Sequence, residues 1–277
     1  MLTLLARIAS RAMPALLAAG ASTLGAQTDF YNTDRARPLV TEDAVVIERR
    51  AFELQLAPLT LTRAAAGAYG WGLAPELAWG LAPRTQLGIA LPLAFTDAAG
   101  ARPRAAIAGA EVELLHQLNA ESTTLPAFAL GVDALLPVGP LGPARTLTTV
   151  RTVLTRTHGW GRLHLNGAWT PGDALAPGDA AVDHAARWSA GLALDHTFAL
   201  RSTLVGVEAT VAEPLVDGAD AVWRAGAGLR RQATPRLAVD AGLHRVLGGG
   251  SAEWSLTMGA AFAFAPARMP GFPRGAR

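Results

Sequence analysis

The chain has no cysteine. Disulfides and thiolate metal sites are therefore excluded, a composition that fits a bacterial protein exported from the cytoplasm. Charge is scarce and nearly balanced, with 24 basic against 22 acidic residues and only 17% of the chain charged. That leaves no basic patch for a phosphate backbone, and nucleic acid is not an expected partner. Long apolar runs are missing too. Beyond the N-terminal region nothing approaches the ~18 consecutive apolar residues of a transmembrane helix, yet 51% of residues are hydrophobic and the mean hydropathy is +0.25. Apolar residues that are abundant but dispersed at period two describe a barrel wall, lipid on one face and water on the other. Catalytic and metal-binding motifs are the last absence. His116, His158, His164, His184, His196 and His244 are scattered without ligand spacing, so no metal and no other cofactor is expected.

What is present begins with a secretory signal. Arg7 and Arg11 give the positive start, residues 13–24 are rich in Ala and Leu, and small residues place cleavage after Ala26, with Ala21 the alternative. Residues 1–26 are thus read as a signal peptide. A polar N-terminal segment, 27–50, follows and carries Asp34, Arg35, Arg37, Glu42 and Asp43. It is either a plug folded into a lumen or a periplasmic linker, and a linker is the usual fate of such a terminus. The barrel itself occupies 51–265, and 266–277 is a C-terminal tail.

Between 85 and 95, Leu87, Ile89, Leu91, Leu93 and Phe95 share one parity, while Gln86, Gly88, Ala90, Pro92 and Ala94 share the other. A helix would scatter those five apolar side chains around its circumference; a strand puts them on one face. The same alternation predicts about twelve strands, near 51–62, 70–81, 85–96, 106–117, 126–137, 147–157, 160–171, 186–197, 201–212, 222–232, 235–246 and 253–264. Strand six is the least distinct, because Thr148, Thr149, Thr152 and Thr155 blur its faces. Connections alternate between tight turns (82–84, 157–159, 199–200, 233–234) and longer loops (96–104, 171–185, 213–221, 247–252), with 119–124 out of pattern. The stretches 80–90 and 232–242 both run strand, Pro-Arg turn, strand. The expected fold is all-β: a transmembrane antiparallel up-and-down β-barrel, both termini on the periplasmic, short-turn side.

Tryptophan placement agrees. Trp71, Trp169, Trp188, Trp223 and Trp254 each fall at the loop end of a strand, on its apolar parity. That is an interfacial girdle, with Trp79, Phe264 and Phe198 a sparser belt at the other rim. A soluble sandwich core gives no reason for this gathering.

The opposite parity collects the charges. Glu76, Glu111, Glu113, Asp133, Arg162, His164, Arg187, Asp195, Glu208, Arg224, Arg230, Asp240 and His244 all point away from the apolar face of their strands. An arginine on the lipid face near the midplane costs ~2–4 kcal/mol, so these residues are candidate lumen-lining groups. They form either a selective charged lumen or a network of interstrand ion pairs filling a narrow barrel. Glu111, Glu113 and Asp133 on neighbouring strands make the best cation-favouring patch, with Arg224 and Arg230 across from it.

Several stretches also carry a family resemblance: ThrAspArgAlaArgProLeuValThrGlu at 33–42, AlaPheGluLeuGlnLeu at 51–56 and TrpGlyLeuAlaProArgThrGlnLeuGlyIleAlaLeuProLeu at 79–93. GlyAlaGluValGluLeuLeuHisGlnLeu at 109–118 and LeuProAlaPheAlaLeuGlyValAspAlaLeuLeuProValGly at 125–139 extend it. Together they resemble the bacterial outer-membrane transporters of the MetA-pathway of phenol degradation family. Ala36 interrupts the family's compact Asp-Arg-Pro, and the tail runs past the expected last strand. The resemblance implies an outer-membrane location and passage of small compounds, aromatic or hydrophobic ones among them.

The expected function is therefore a porin-like channel or transporter and not an enzyme. Its expected partners are outer-membrane lipid, the outer-membrane assembly machinery and a small-molecule solute. Two rivals stand: a barrel hydrolase at the outer leaflet, for which Ser251, His244 and His184 are the available groups, and a non-conducting structural barrel.

Overall fold

The alternating segments form one antiparallel sheet that closes into a twelve-strand barrel. A computed structural model describes residues 31–63, 69–97, 104–171, 186–214, 220–247 and 253–264. The expected signal peptide and C-terminal tail, together with Ser251 and His184, fall outside the described residues. The wall runs β1 (Phe52–Arg63), β2 (Tyr69–Ala82), β3 (Thr85–Ala90 and Leu93–Asp97), β4 (Arg104–Ile107 and Ala110–Asn119), β5 (Ala127–Leu136) and β6 (Leu147–His158). It continues through β7 (Gly161–Trp169), β8 (Ala186–Phe198), β9 (Thr203–Pro214), β10 (Val222–Thr234), β11 (Leu237–Val246) and β12 (Trp254–Phe264). Each strand pairs with its sequence neighbours, and β1 meets β12 from Phe52↔Phe264 to Arg63↔Trp254. Closure satisfies the backbone groups that an open edge would leave bare in lipid.

Two strands depart from the continuous spans that alternation predicts. β3 breaks at Leu91 and Pro92, and β4 at Ala108 and Gly109. Pro92 has no N–H for a ladder, and Pro75 faces it on β2, where pairing passes from Glu76↔Ala90 to Leu73↔Leu93. β1 shifts register at the same height, between Leu56 and Leu59. Single bonds carry the chain across: Leu91 N–H to the Pro75 carbonyl (3.0 Å) and Ala108 N–H to the Pro92 carbonyl (2.8 Å). Beyond the break the short piece Arg104–Ile107 pairs with β3, and its Ile107 carbonyl accepts the Leu141 N–H at 3.0 Å.

Outside, the band is apolar. Leu61, Leu77, Ile89, Val112, Val132, Leu165, Leu192, Val207, Leu229, Leu243 and Leu256 are exposed around the ring. Trp71, Trp169, Trp188, Trp223 and Trp254 are exposed at the long-loop end, Trp188 directly opposite Trp169 and Trp71 stacked on Phe95 at 5.5 Å. At the other rim Phe52 stacks between Trp79 (5.8 Å) and Phe264 (5.5 Å). Two aromatic rims bounding an apolar band match a bilayer and its interfaces.

The long connection between β4 and β5 has a local cause. Arg156, near the end of β6, donates to the carbonyls of Ser122 (2.7 Å), Thr123 (2.8 Å) and Leu125 (3.0 Å). Glu121 accepts from the Thr157 N–H and hydroxyl, both at 2.7 Å. The extra length lets one rim turn latch onto the next.

Candidate functional site: the lumen and its inner segment

Residues 31–50 run inside the barrel. The linker expectation fails here for a reason legible in the wall. Gly206, Gly228 and Gly242 stand in direct register on β9, β10 and β11, and Pro38 and Leu39 sit in the hollow they leave. A methyl at Gly242 would lie 2.1 Å from the Pro38 carbonyl oxygen, and one at Gly206 2.8 Å from Leu39 Cδ1. Close approach of a second backbone is what these glycines permit. Leu39 is 0% and Arg37 1% exposed.

Charges then join segment to wall. Arg37 reaches Asp240 at 2.8 Å and Asp34 at 3.5 Å, and Asp34 in turn pairs with Arg230. Arg35 pairs with Glu111, Glu113 (3.5 Å) and Asp133 (3.0 Å). Arg151 on β6 holds Glu42, Glu113 (2.9 Å) and Asp133 (2.6 Å). Arg162 bridges Asp43 (3.1 Å) and Asp195 (2.7 Å). Glu208 accepts the N–H groups of Val40 and Thr41 and the Thr41 hydroxyl, each at 2.8 Å, and faces His244 at 3.1 Å. Asn166 grips Glu42 twice, accepting its N–H at 2.8 Å and donating to its carbonyl at 2.9 Å.

An apolar contact adds to this. Ala44 packs with Leu115, Ala127, Ala129 and Val153, with Val46 against them. Apolar side chains on the inner face of β6 are one reason its alternation looked blurred in the sequence.

Of the residues read as lumen-facing, Glu113, Asp133, His164, Asp195, Glu208, Arg230, Asp240 and His244 are buried inside the barrel. Glu111, Arg162 and Arg224 also face the interior, and Glu76 lies over Gly88 near Glu113. The Arg187 side chain lies outside the described set. Glu111, Glu113 and Asp133 are not an open acidic patch: Arg35 and Arg151 fill it, and Arg230, read as their counterweight, is engaged by Asp34. Sequence reading missed Arg151, though the outward pair Val150 and Leu154 marks its parity, and missed Glu53 and Gln55 at the start of β1.

One buried row looks like hydrolytic machinery. His164 lies 3.0 Å from the Thr155 hydroxyl and 2.9 Å from Asp195. All three are buried, and the same hydroxyl accepts the Ala44 N–H at 2.9 Å. A nucleophile needs access to its substrate, so the row is a strut between segment and wall. His244, buried against Glu208, does not face the outer leaflet. Among the described residues no cluster of three or more His, Asp or Glu has metal-holding geometry.

Cavities remain between segment and wall. An outer vestibule of about 330 Å³ lies toward the long loops and is lined by Thr149, Thr170, Ser189, Thr210 and Arg224 above a floor of Arg35 and Val40–Glu42. A mid-height space of about 20 Å³ shares Arg35 and Glu42 with it and adds Asp34, Asp43, Glu76 and Glu113. A lower cavity of about 200 Å³ shares Asp34, Val45 and Gln86 with the middle one and reaches Phe52 and Ala263 at the short-turn rim.

No family model matches the chain, and no curated protein matches it. Among solved structures it is similar to an outer membrane channel from Pseudomonas putida F1, at TM-score 0.51 and 15% identity over 77% of this chain and 94% of that one. The NanC porin gives 0.49 at 10% identity, covering 76% of this chain and 98% of that one. Outer membrane phospholipase A from Escherichia coli gives 0.43 at 10% identity, covering 86% and 98%. At such identities the likeness is one of fold. The short motifs therefore reach as far as the architecture of a bacterial outer-membrane barrel, and the chain has that architecture.

Proposed function

We propose that the protein is a passive outer-membrane channel for small molecules, without cofactor or catalysis, whose lumen is narrowed by its own residues 31–50. The observation that supports this is the series of cavities. Outer vestibule, mid-height space and lower cavity share lining residues in sequence and together span the lumen from loop mouth to turn mouth. The mid-height space holds about one water, so passage of anything larger waits on a shift of the inner segment. The apolar side chains of the vestibule suit solutes with an apolar body, in keeping with the family resemblance. The candidate lumen residues of the wall act, on this reading, mainly by holding the segment. The apolar belt makes lipid its lateral partner.

Planar-bilayer recording tests the proposal. Wild-type protein is expected to carry a small steady current, and Gly242→Val, which fills the seat of Pro38, a larger one. A membrane sealed by both proteins contradicts the channel and favours a structural barrel.

A further inference from the structure

We propose that the outer vestibule is a capture site for small organic monoanions, a carboxylate held by Arg224 with the apolar body of the solute on the vestibule floor. The site stands on its own geometry; that captured solute goes on to cross the membrane rests on the channel reading above.

Three guanidinium groups line the vestibule. Arg35 and Arg151 are each held by carboxylates on two or more sides. The Arg224 guanidinium makes no ion pair and no hydrogen bond with any described residue, although the residue is partly buried on the inner face of β10. A guanidinium in a recessed wall with no partner among the described residues is an open two-pronged donor, and a carboxylate matches it in shape and charge.

The surroundings fix the rest of the ligand. Arg224 stands in register with Thr210, Thr210 with Gly191, and Gly191 with Asn166. At that height Thr210 sets a hydroxyl beside the cation, while Gly191 lies against Thr41 and Asn166 is taken up by Glu42. The floor has an apolar part: Val40 is 43% exposed despite lying inside the barrel, and Leu135 and Leu147 close the far side. Thr149 and Thr170 bond each other at 2.8 Å, so part of the polar lining is already satisfied. A volume of about 330 Å³ is at the small end of ligand pockets, which are mostly apolar with a few placed polar groups.

Charge sets the valence. Glu42, Glu111 and Asp133 share the lining and would repel a second negative charge, while Arg224, without an ion-pair partner among the described residues, answers one carboxylate. A phosphate or a dicarboxylate suits the site less well than a monocarboxylate.

The test is a ¹⁹F NMR titration of the folded protein in detergent micelles with 4-fluorobenzoate, run beside neutral 4-fluorobenzyl alcohol, with inorganic phosphate as competitor. Saturable binding of the benzoate is expected, weakened about tenfold or more in Arg224→Gln by loss of a charged hydrogen-bond partner. Arg224→Lys is expected to retain part of it. Phosphate should not displace the benzoate, and the alcohol should bind at least tenfold more weakly. Equal benzoate binding by wild type and Arg224→Gln overturns the inference, as does an alcohol that binds as tightly. Displacement by phosphate would make the site a general anion site and would overturn the monocarboxylate assignment. Bilayer current is read separately: binding absent with current present removes this inference alone, and binding present in a sealed barrel removes the channel reading alone.

Discussion

The chain contains no lysine; each of its 24 basic residues is arginine. The planar fork of arginine can meet several acceptors at once, and Arg35, Arg37, Arg151 and Arg162 each bridge two or more acids. Such pairs add little net stability over an apolar filling of the same space, but removing one partner leaves a buried charge at a cost of about 3–5 kcal/mol. Arg37→Ala is thus expected to strand Asp240 and loosen the inner segment, so that thermolysin cuts within residues 31–50 faster than in wild type. Arg37→Met with Asp240→Leu should restore near wild-type resistance. Equal cleavage of wild type and Arg37→Ala would contradict the clasp. Parity alone located Glu113, Asp195 and Asp240 on the inner face, because a charge in lipid is costly whatever lies opposite. It could not say what they meet, since their partners lie on other elements, 33 positions away for Arg162 and Asp195 and 203 for Arg37 and Asp240.

At the scale of elements, strands were legible because period two needs no knowledge of neighbours. The breaks were less so. Pro75, Pro92 and Gly109 lie on adjacent strands, and each is a known interrupter of a ladder, yet only pairing shows that they align. The latch between turns is a second feature of this scale and brings a pH dependence. Partial burial pushes the Glu121 carboxyl up, but hydrogen bonds from the Thr157 hydroxyl and N–H, with Arg156 and His158 nearby, outweigh it and hold the group below the usual glutamate range. A lowered folded-state pKa means that the charged latch contributes fully above the unfolded value and is lost as pH falls through the folded one. A ¹³C titration of the Glu121 carboxyl should give a midpoint below that of an unstructured glutamate, returning toward it in Thr157→Val. A midpoint at or above the unstructured value would contradict the latch.

Over the whole molecule, the wall and the segment within it answer each other: a glycine row seats Pro38, inner carboxylates receive Arg35 and Arg37, and Ala44 finds apolar side chains across the lumen. A polar terminus ahead of a barrel reads as a linker by default, and only the closed wall supplies the partners that make it a filling. The most direct test of that relation uses the absence of cysteine. A Cβ placed at Gly191 would lie 3.8 Å from Thr41 Cβ, the separation typical of a disulfide. In Thr41→Cys with Gly191→Cys, mild oxidation of the folded protein in membranes is expected to close the bond in nearly every molecule, with dithiothreitol reopening it. Free thiols that persist under oxidation, both open to a membrane-impermeant maleimide, would mean that residues 31–50 do not occupy the lumen.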